Sequence, residues 1–340
     1  MEAIWYERTG PPSEVLVGGE MPTPAAAPGE VRVKLAVSGV NPADCYRRRG
    51  DLPLEFVRVI PNSDGAGTVD QIGPGVPQEW LGRRVWLYNG QRGRAFGTAA
   101  EYIALDAGLI APLPDNTSFD AGACLGIPCM TAHRCLFADG PITGQTILVT
   151  GGAGAVGHYA VQLAKWAGAR VIATVSSPAK AEHALAAGAD VALNYRSDDV
   201  AGRVLEITGG TGVDRIVEVD FGGNLEASLK SIRLNGAIAA YASRGNLEPT
   251  LPMSAFMRKN ATLRLVVLNS CPLDARQQAQ RDIVRWLETG RAIHRIAARF
   301  PLGRTAEAHA AVEKGGKLGT VVVEVGAGVL TRCYDTGYVG

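Results

Sequence analysis

Apolar and polar positions alternate through the first part of the chain. Val31, Val33, Leu35 and Val37 are interleaved with Arg32, Lys34 and Ala36, the period of two that a half-buried strand requires. Turn formers interrupt this part at short intervals. Pro22, Pro24, Pro28-Gly29, Asn41-Pro42, Gly73-Pro74-Gly75 and Asn89-Gly90 separate runs such as 68–72 and 84–88, and Ala3, Ile4 and Trp5 open the chain as a further strand. Short strands with frequent turns predict a compact β-barrel or sandwich.

From about Gly144 the pattern changes to apolar runs separated by helical stretches, which predicts a parallel sheet covered on both faces. Six strands are expected at 147–150, 171–175, 191–193, 215–219, 237–241 and 263–268. Gly168 and Gly188 each follow an alanine-rich helix where a left-handed residue ends it. Six strands with this alternation predict a doubly wound Rossmann domain. An amphipathic helix over 274–288, a strand-like stretch over 293–300, a short helix and a last strand over 320–325 need another sheet. The expected division is therefore 1–122 with a return over 269–326, and 123–268 for the dinucleotide domain. The tail 327–340 has no apolar period and no expected role.

A length of 340 residues agrees with two domains, and 46% hydrophobic with 20% charged residues describes a globular chain. Lys and Arg total 34 against 33 Asp and Glu, a net charge of +1 with no block of like charges. Nucleic acid and membrane are therefore not expected partners. The N-terminus lacks the basic and apolar regions of a leader, and the six cysteines are scattered without a CxxC pair. A cytoplasmic protein with reduced thiols is the expectation.

The segment Thr150-Gly151-Gly152-Ala153-Gly154-Ala155-Val156-Gly157 carries GxGxxG at Gly152, Gly154 and Gly157, directly after an apolar strand and opening a helix over 156–167. The first glycine is expected to permit the tight turn, the second to let backbone approach a pyrophosphate, and the third to allow close helix-to-strand packing. Roughly 20 residues further on, an Asp or Glu would hold the ribose diol of NAD. Val175, Ser176 and Ser177 stand there instead. Ser177 followed by Pro178 also reads as a plain N-cap. Lys180 decides the matter, because a cation in a first helical turn faces the positive end of the dipole and needs an anion nearby. NADPH is the expected cofactor, with Ser176, Ser177 and Lys180 around its 2′-phosphate.

These residues resemble the medium-chain dehydrogenase/reductases, and within them the zinc-free quinone oxidoreductases related to zeta-crystallin. The resemblance runs to about Val325. It rests on Ser38-Gly39-Val40-Asn41-Pro42-Ala43-Asp44, Asp64-Gly65-Ala66-Gly67, Gly97-Thr98-Ala99-Ala100-Glu101-Tyr102, the 125–134 segment with Thr131-Ala132, the glycine loop, Ser176-Ser177-Pro178-Ala179-Lys180 and Met257-Arg258-Lys259-Asn260. It implies a GroES-like β-barrel domain, a Rossmann domain and a C-terminal return to the barrel. Zinc-dependent members place ligands where this chain has Asn41, Ser63-Asp64 and approximately Ile127. The first histidine is His133 and only three cysteines precede it, so a zinc set cannot be assembled in the first domain. No metal is expected. Cys124, Cys129 and Cys135 read as buried thiols on an apolar connecting helix, and His158 as a helix-surface residue.

The resemblance further implies that Asn41, Asp44, Tyr46 and Asp64 line the substrate site, with Asn41 and Tyr46 addressing the acceptor oxygen. Asn41-Pro42 reads equally as a turn and Tyr46 as a packed aromatic. Implied cofactor contacts are Thr131, Gly152, Gly154, Ala155, Val156, Gly157, Ser176, Ser177, Lys180, Tyr195, Tyr241, Ser243, Val267 and Lys317. The expected activity is NADPH-dependent reduction of a small quinone or α,β-unsaturated carbonyl substrate. Enoyl-thioester reduction, and a dinucleotide-binding structural or RNA-binding role with little activity, are the alternatives. The stretch 262–268 is expected to be an edge strand that pairs with its copy in a homodimer.

Overall fold

Val31, Val33 and Leu35 are buried on one face of a long strand, Glu30–Val40, around which the first part of the chain is organised. The computed structural model describes residues 1–326, and the expectation for the tail 327–340 lies outside the described residues. The chain divides into two compact units. One comprises 1–113, 118–124 and the chain from Ile296; the other comprises 114–117 and 125–295.

In the first unit the strands lie in the order Ile296–Pro301, Thr320–Glu324, Glu30–Val40, Asp64–Ile72, Arg84–Leu87 and Ile110–Pro112, with Tyr102–Asp106 also paired to Glu30–Val40. Register shifts at Arg32/Val33 and Leu35/Val37 bend the long strand against Asp64–Ile72, as β-bulges do. Val69, Val85, Leu87, Ile103, Leu105, Val321 and Val323 complete the core beneath it. The chain leaves Glu30–Val40 directly into the helix Pro42–Arg49, with Asn41 at its N-cap and Gly50 at a φ of 105° where it ends. That helix is held to the C-terminal return by Arg48, fully buried, whose guanidinium pairs with Glu313 at 2.6 Å.

The second unit carries a six-stranded sheet in the order Val191–Asn194, Arg170–Val175, Thr146–Val149, Val213–Glu218, Ile232–Ala240 and Thr262–Leu265, with every neighbouring pair parallel. The chain runs outward in both directions from Thr146–Val149, so the sheet reverses between that strand and Val213–Glu218. Crevices at such switch points, outside the carboxyl ends of the strands, are where doubly wound sheets take ligands. Among the described residues no helix is long and apolar enough to cross a membrane.

Two expectations are corrected. The return to the first unit begins at Ile296 rather than at 269, because the helix Leu273–Glu288 belongs to the second unit. It buries Ile283, Trp286 and Leu287 there, Asp282 meets His133 at 2.9 Å, and Leu287 O accepts from Asn116. His158 is buried, not on the helix surface. Its Nε2 lies 2.8 Å from Ile293 O, and neighbouring Tyr159 Oη lies 3.0 Å from His294 Nδ1. The segment after Leu273–Glu288 thus covers the helix Ala155–Trp166 on a face that local pattern marks as open.

Burial holds His158 and His294 down to about 4 and His309 to about 3. Folded pKa values below the unfolded value of about 6.5 mean that the unfolded chain takes up protons first as the pH falls. The stability these three rings contribute is therefore fully present above about pH 6.5 and is lost progressively towards pH 4 for His158 and His294 and towards pH 3 for His309. Urea titrations should give an unfolding free energy several kcal/mol lower near pH 5 than near pH 7. An unchanged value would contradict neutral burial of these rings.

Candidate functional site

The strand Thr146–Val149 ends at Thr150, and the chain turns through Gly151 at a φ of 65° before entering the helix Ala155–Trp166 at its N-cap Gly154. Gly154 N donates to Gly151 O at 2.8 Å, and Gly152 N donates to Thr174 O on the next strand at 2.9 Å. The glycines do not divide the work as the motif suggests. The left-handed turn falls on Gly151, one residue earlier. A Cβ on Gly152 would sit 2.7 Å from Ala173 Cβ, so this glycine permits close strand packing. A Cβ on Gly157 would sit 2.2 Å from Gly151 O, so this one lets the helix seat against the loop's own turn. At Gly154 the added atom would meet only Gly151 O, at 3.2 Å. Its other side is open, as backbone approach to a phosphate requires, and the helix N-terminus supplies unpaired N–H groups beside it.

Behind the loop stands a buried carboxylate that sequence reasoning missed. Glu218 Oε1 accepts from Thr150 Oγ1 at 2.8 Å, Asp220 N at 2.7 Å and Asn224 Nδ2 at 2.8 Å, while Oε2 accepts from Ser228 Oγ at 2.8 Å. Thr150 Oγ1 in turn accepts from Val219 N at 2.9 Å. These bonds tie the carboxyl ends of the two strands that flank the switch point. The available signal was an acid closing the apolar run Ile216-Val217 of a central strand, since an unpaired buried carboxylate is too costly to keep.

At the end of Arg170–Val175, Ser176, Ser177 and Lys180 come together. Lys180 Nζ donates to Ser176 Oγ at 2.9 Å, and Ser177 caps the helix Pro178–Ala186 by accepting from Lys180 N at 3.4 Å. No carboxylate pairs with Lys180 among the described residues; its one side-chain partner is a neutral hydroxyl. Tyr195 follows the adjacent strand, is half-exposed, and is anchored by its N–H on Val175 O. Tyr241, Ser243 and Val267 line a single cavity of about 360 Å³ together with Phe221, Leu247 and Leu265. Burial pushes the Tyr241 hydroxyl well above its usual value. Thr131 is buried in Phe119–Phe137, beyond a kink at Gly126. Lys317 lies in the first unit, where burial lowers its pKa and Nζ donates to Gly319 O at 3.0 Å.

In the first unit, Asn41, Asp44 and Asp64 form one buried cluster. Asn41 Nδ2 donates to Asp64 Oδ2 at 2.7 Å, Asn41 N donates to Asp44 Oδ2 at 2.8 Å, and Ser63 Oγ donates to Asp44 Oδ1 at 2.9 Å. Asp44 thus completes a capping box at the helix start. Burial raises its pKa, against the pull of those hydrogen bonds and of Arg47. Tyr46 is half-buried rather than packed in the core, with the Arg49 guanidinium 5.3 Å from its ring centre. Below the cluster runs a second chain that the sequence did not disclose. Thr98 Oγ1 donates to Asp64 O, Ser38 Oγ to Thr98 Oγ1, Asn62 Nδ2 to Ser38 Oγ, and His309 Nε2 lies 2.9 Å from Asn62 Oδ1.

The residues at the expected zinc positions do not fit zinc. Asn41 directs its amide hydrogens at Asp64, Ser63 donates to Asp44, and Ile127 carries hydrocarbon. Among the described residues no group of three or more His, Cys, Asp or Glu could hold a metal ion.

Comparison with known proteins follows this division. The family model of the alcohol dehydrogenase GroES-like domain matches residues 27–115, and that of the zinc-binding dehydrogenase matches residues 155–288. Quinone oxidoreductase of Rattus norvegicus is 29% identical over 326 residues, 95% of this chain and 97% of that protein. A 2-haloacrylate reductase from a Burkholderia species is 29% identical over 338 residues, 95% of this chain and 98% of that protein. A mycobacterial protein solved in complex with NADPH is 31% identical and superposes with a TM-score of 0.83, covering 96% of this chain and 100% of that one.

The Glu218 knot separates two substitutions. Glu218→Leu strands the donors of Thr150, Asp220 and Asn224 and should cost about 3 kcal/mol or more in urea unfolding. Glu218→Gln keeps an oxygen for them and faces its amide to Ser228, whose hydroxyl can accept, so its cost should stay near 1 kcal/mol. Equal costs would show that the carboxylate acts only by filling space.

Proposed function

The chain belongs to the medium-chain dehydrogenase/reductase superfamily, and from that premise we propose that it is an NADPH-dependent, zinc-independent reductase of quinones or α,β-unsaturated carbonyl compounds. The observation that carries the cofactor choice is the Ser176, Ser177 and Lys180 group at the strand end where an NAD enzyme needs an acid. A cation with only a neutral hydroxyl for company suits the 2′-phosphate, and the NADPH complex of the mycobacterial relative supports the same choice. The relatives are named for a quinone and for a 2-haloacrylate, and both acceptor types are carried into the reading.

Bound NADPH supplies the hydride. In this proposal Gly152, Gly154, Ala155, Val156 and Gly157 present backbone to the pyrophosphate. Tyr241, Ser243 and Val267 wall the cavity that receives the cofactor beyond it, with Thr131, Tyr195 and Lys317 as further contacts. Asn41 and Tyr46 donate to the acceptor oxygen where negative charge develops, and Asp64 holds the Asn41 amide in place. Asp44 contributes by fixing the start of the helix that carries Tyr46. Cys45, Cys124, Cys129 and Cys135 are buried free thiols, which suits action in the reducing cytoplasm. The proposal includes a homodimer. Thr262–Leu265 is a sheet edge paired on one side, and Leu265 and Val267 stand exposed beside it.

Steady-state kinetics should give a kcat/KM for NADPH at least about tenfold above that for NADH. Lys180→Ala should remove most of that preference by raising KM for NADPH alone. Equal use of both cofactors by the unaltered protein would refute the 2′-phosphate reading. Light scattering should report twice the chain mass, and a monomer would remove the edge-pairing part of the proposal.

A further inference from the structure

Three arginines follow Tyr46 in succession, and their surroundings differ. Arg48 is buried against Glu313 at 2.6 Å and Arg49 pairs with Asp51 at 2.5 Å. Arg47 has no carboxylate within ion-pair distance among the described residues; its NH1 donates to Gln91 Oε1 at 3.0 Å. Gln91 is itself buried, in a loop whose Gly90 N donates to Ser63 O at 2.8 Å. Ser63 donates to Asp44, so Arg47, Gln91, Ser63 and Asp44 close a ring around the start of the helix that presents Asn41 and Tyr46. In the same loop Asn89, held at a φ of 56°, buries an amide whose Nδ2 finds no acceptor. Donors are in excess at this end of the cluster. Asp44, whose charge Arg47 feels without forming an ion pair with it, is engaged by Asn41 N and Ser63 Oγ.

We propose that the acceptor reduced at this site carries a carboxylate, and that Arg47, oriented by Gln91, binds it. The inference rests on the reductase reading above and narrows its substrate class to small enones or quinones bearing an acid group. Two parallel N–H bonds from a guanidinium fix a carboxylate in position as well as in charge. For an acid-bearing enone the reaction is balanced by NADPH and one proton. Hydride adds to the β-carbon, the π-electrons pass to the carbonyl oxygen as an enolate, and a proton then forms the saturated ketone. The carboxylate is unchanged throughout and serves only to hold the substrate.

The test compares 4-oxopent-2-enoic acid with its methyl ester, which share the activated double bond and differ in charge. The acid should show a kcat/KM about tenfold or more above the ester, carried mainly by KM. Arg47→Met should bring the acid-to-ester ratio to about one, and Arg47→Lys should restore part of it. An ester used as well as the acid by the unaltered protein overturns the assignment without any variant, and so does an undiminished ratio in folded Arg47→Met. Steady NADPH oxidation with the ester and with 1,4-benzoquinone in those cases leaves the reductase reading intact. Absence of turnover with all three acceptors refutes that reading and the carboxylate assignment with it.

Discussion

One buried carboxylate determines how the two central strands of the second unit end. Glu218, fully buried, collects donors from Thr150, Asp220, Asn224 and Ser228 where the sheet reverses direction. A carboxyl group buried in such a place is tolerated only with its oxygens hydrogen-bonded. The cost of burying it is offset by bonds that fix Thr150, and Thr150 is where the glycine loop begins. The position of Gly151, the open backbone of Gly154 and the seating of the helix Ala155–Trp166 all follow from that anchored start.

The same logic organises the first unit at a different point. Asn41 is placed by the end of a bulged strand, by its own cap on the following helix, and by its amide bond to Asp64. Behind it the Thr98, Ser38, Asn62 and His309 chain fixes Asp64 through its backbone. Side chains held this way lose little freedom when a ligand arrives, which favours hydrogen bonding to charge as it develops.

Period and glycine spacing made much of this legible. The alternation at 31–37 marks the long strand, the six apolar runs mark the parallel sheet, and Lys180 in a first helical turn singles out a side chain that the structure sets beside Ser176 and Ser177. What escaped were features set by residues far apart in sequence. Nothing local distinguishes His158 from a surface histidine, since its cover comes from 293–294. The left-handed turn falls at Gly151, one position before the motif's first glycine, and Gly152 instead packs on Ala173, because the motif records which residues lack a Cβ, not which atom each would strike. The helix Leu273–Glu288 was placed with the wrong unit because amphipathicity shows that a face is buried without saying against what.

The proposed 2′-phosphate site of Ser176, Ser177 and Lys180, served by an anchored glycine loop, can be tested without substrate. Calorimetric titration of the protein with 2′,5′-ADP and with 5′-AMP isolates that phosphate from nicotinamide and from turnover. 2′,5′-ADP should bind at least about tenfold more tightly. Equal affinities for the two nucleotides would contradict it.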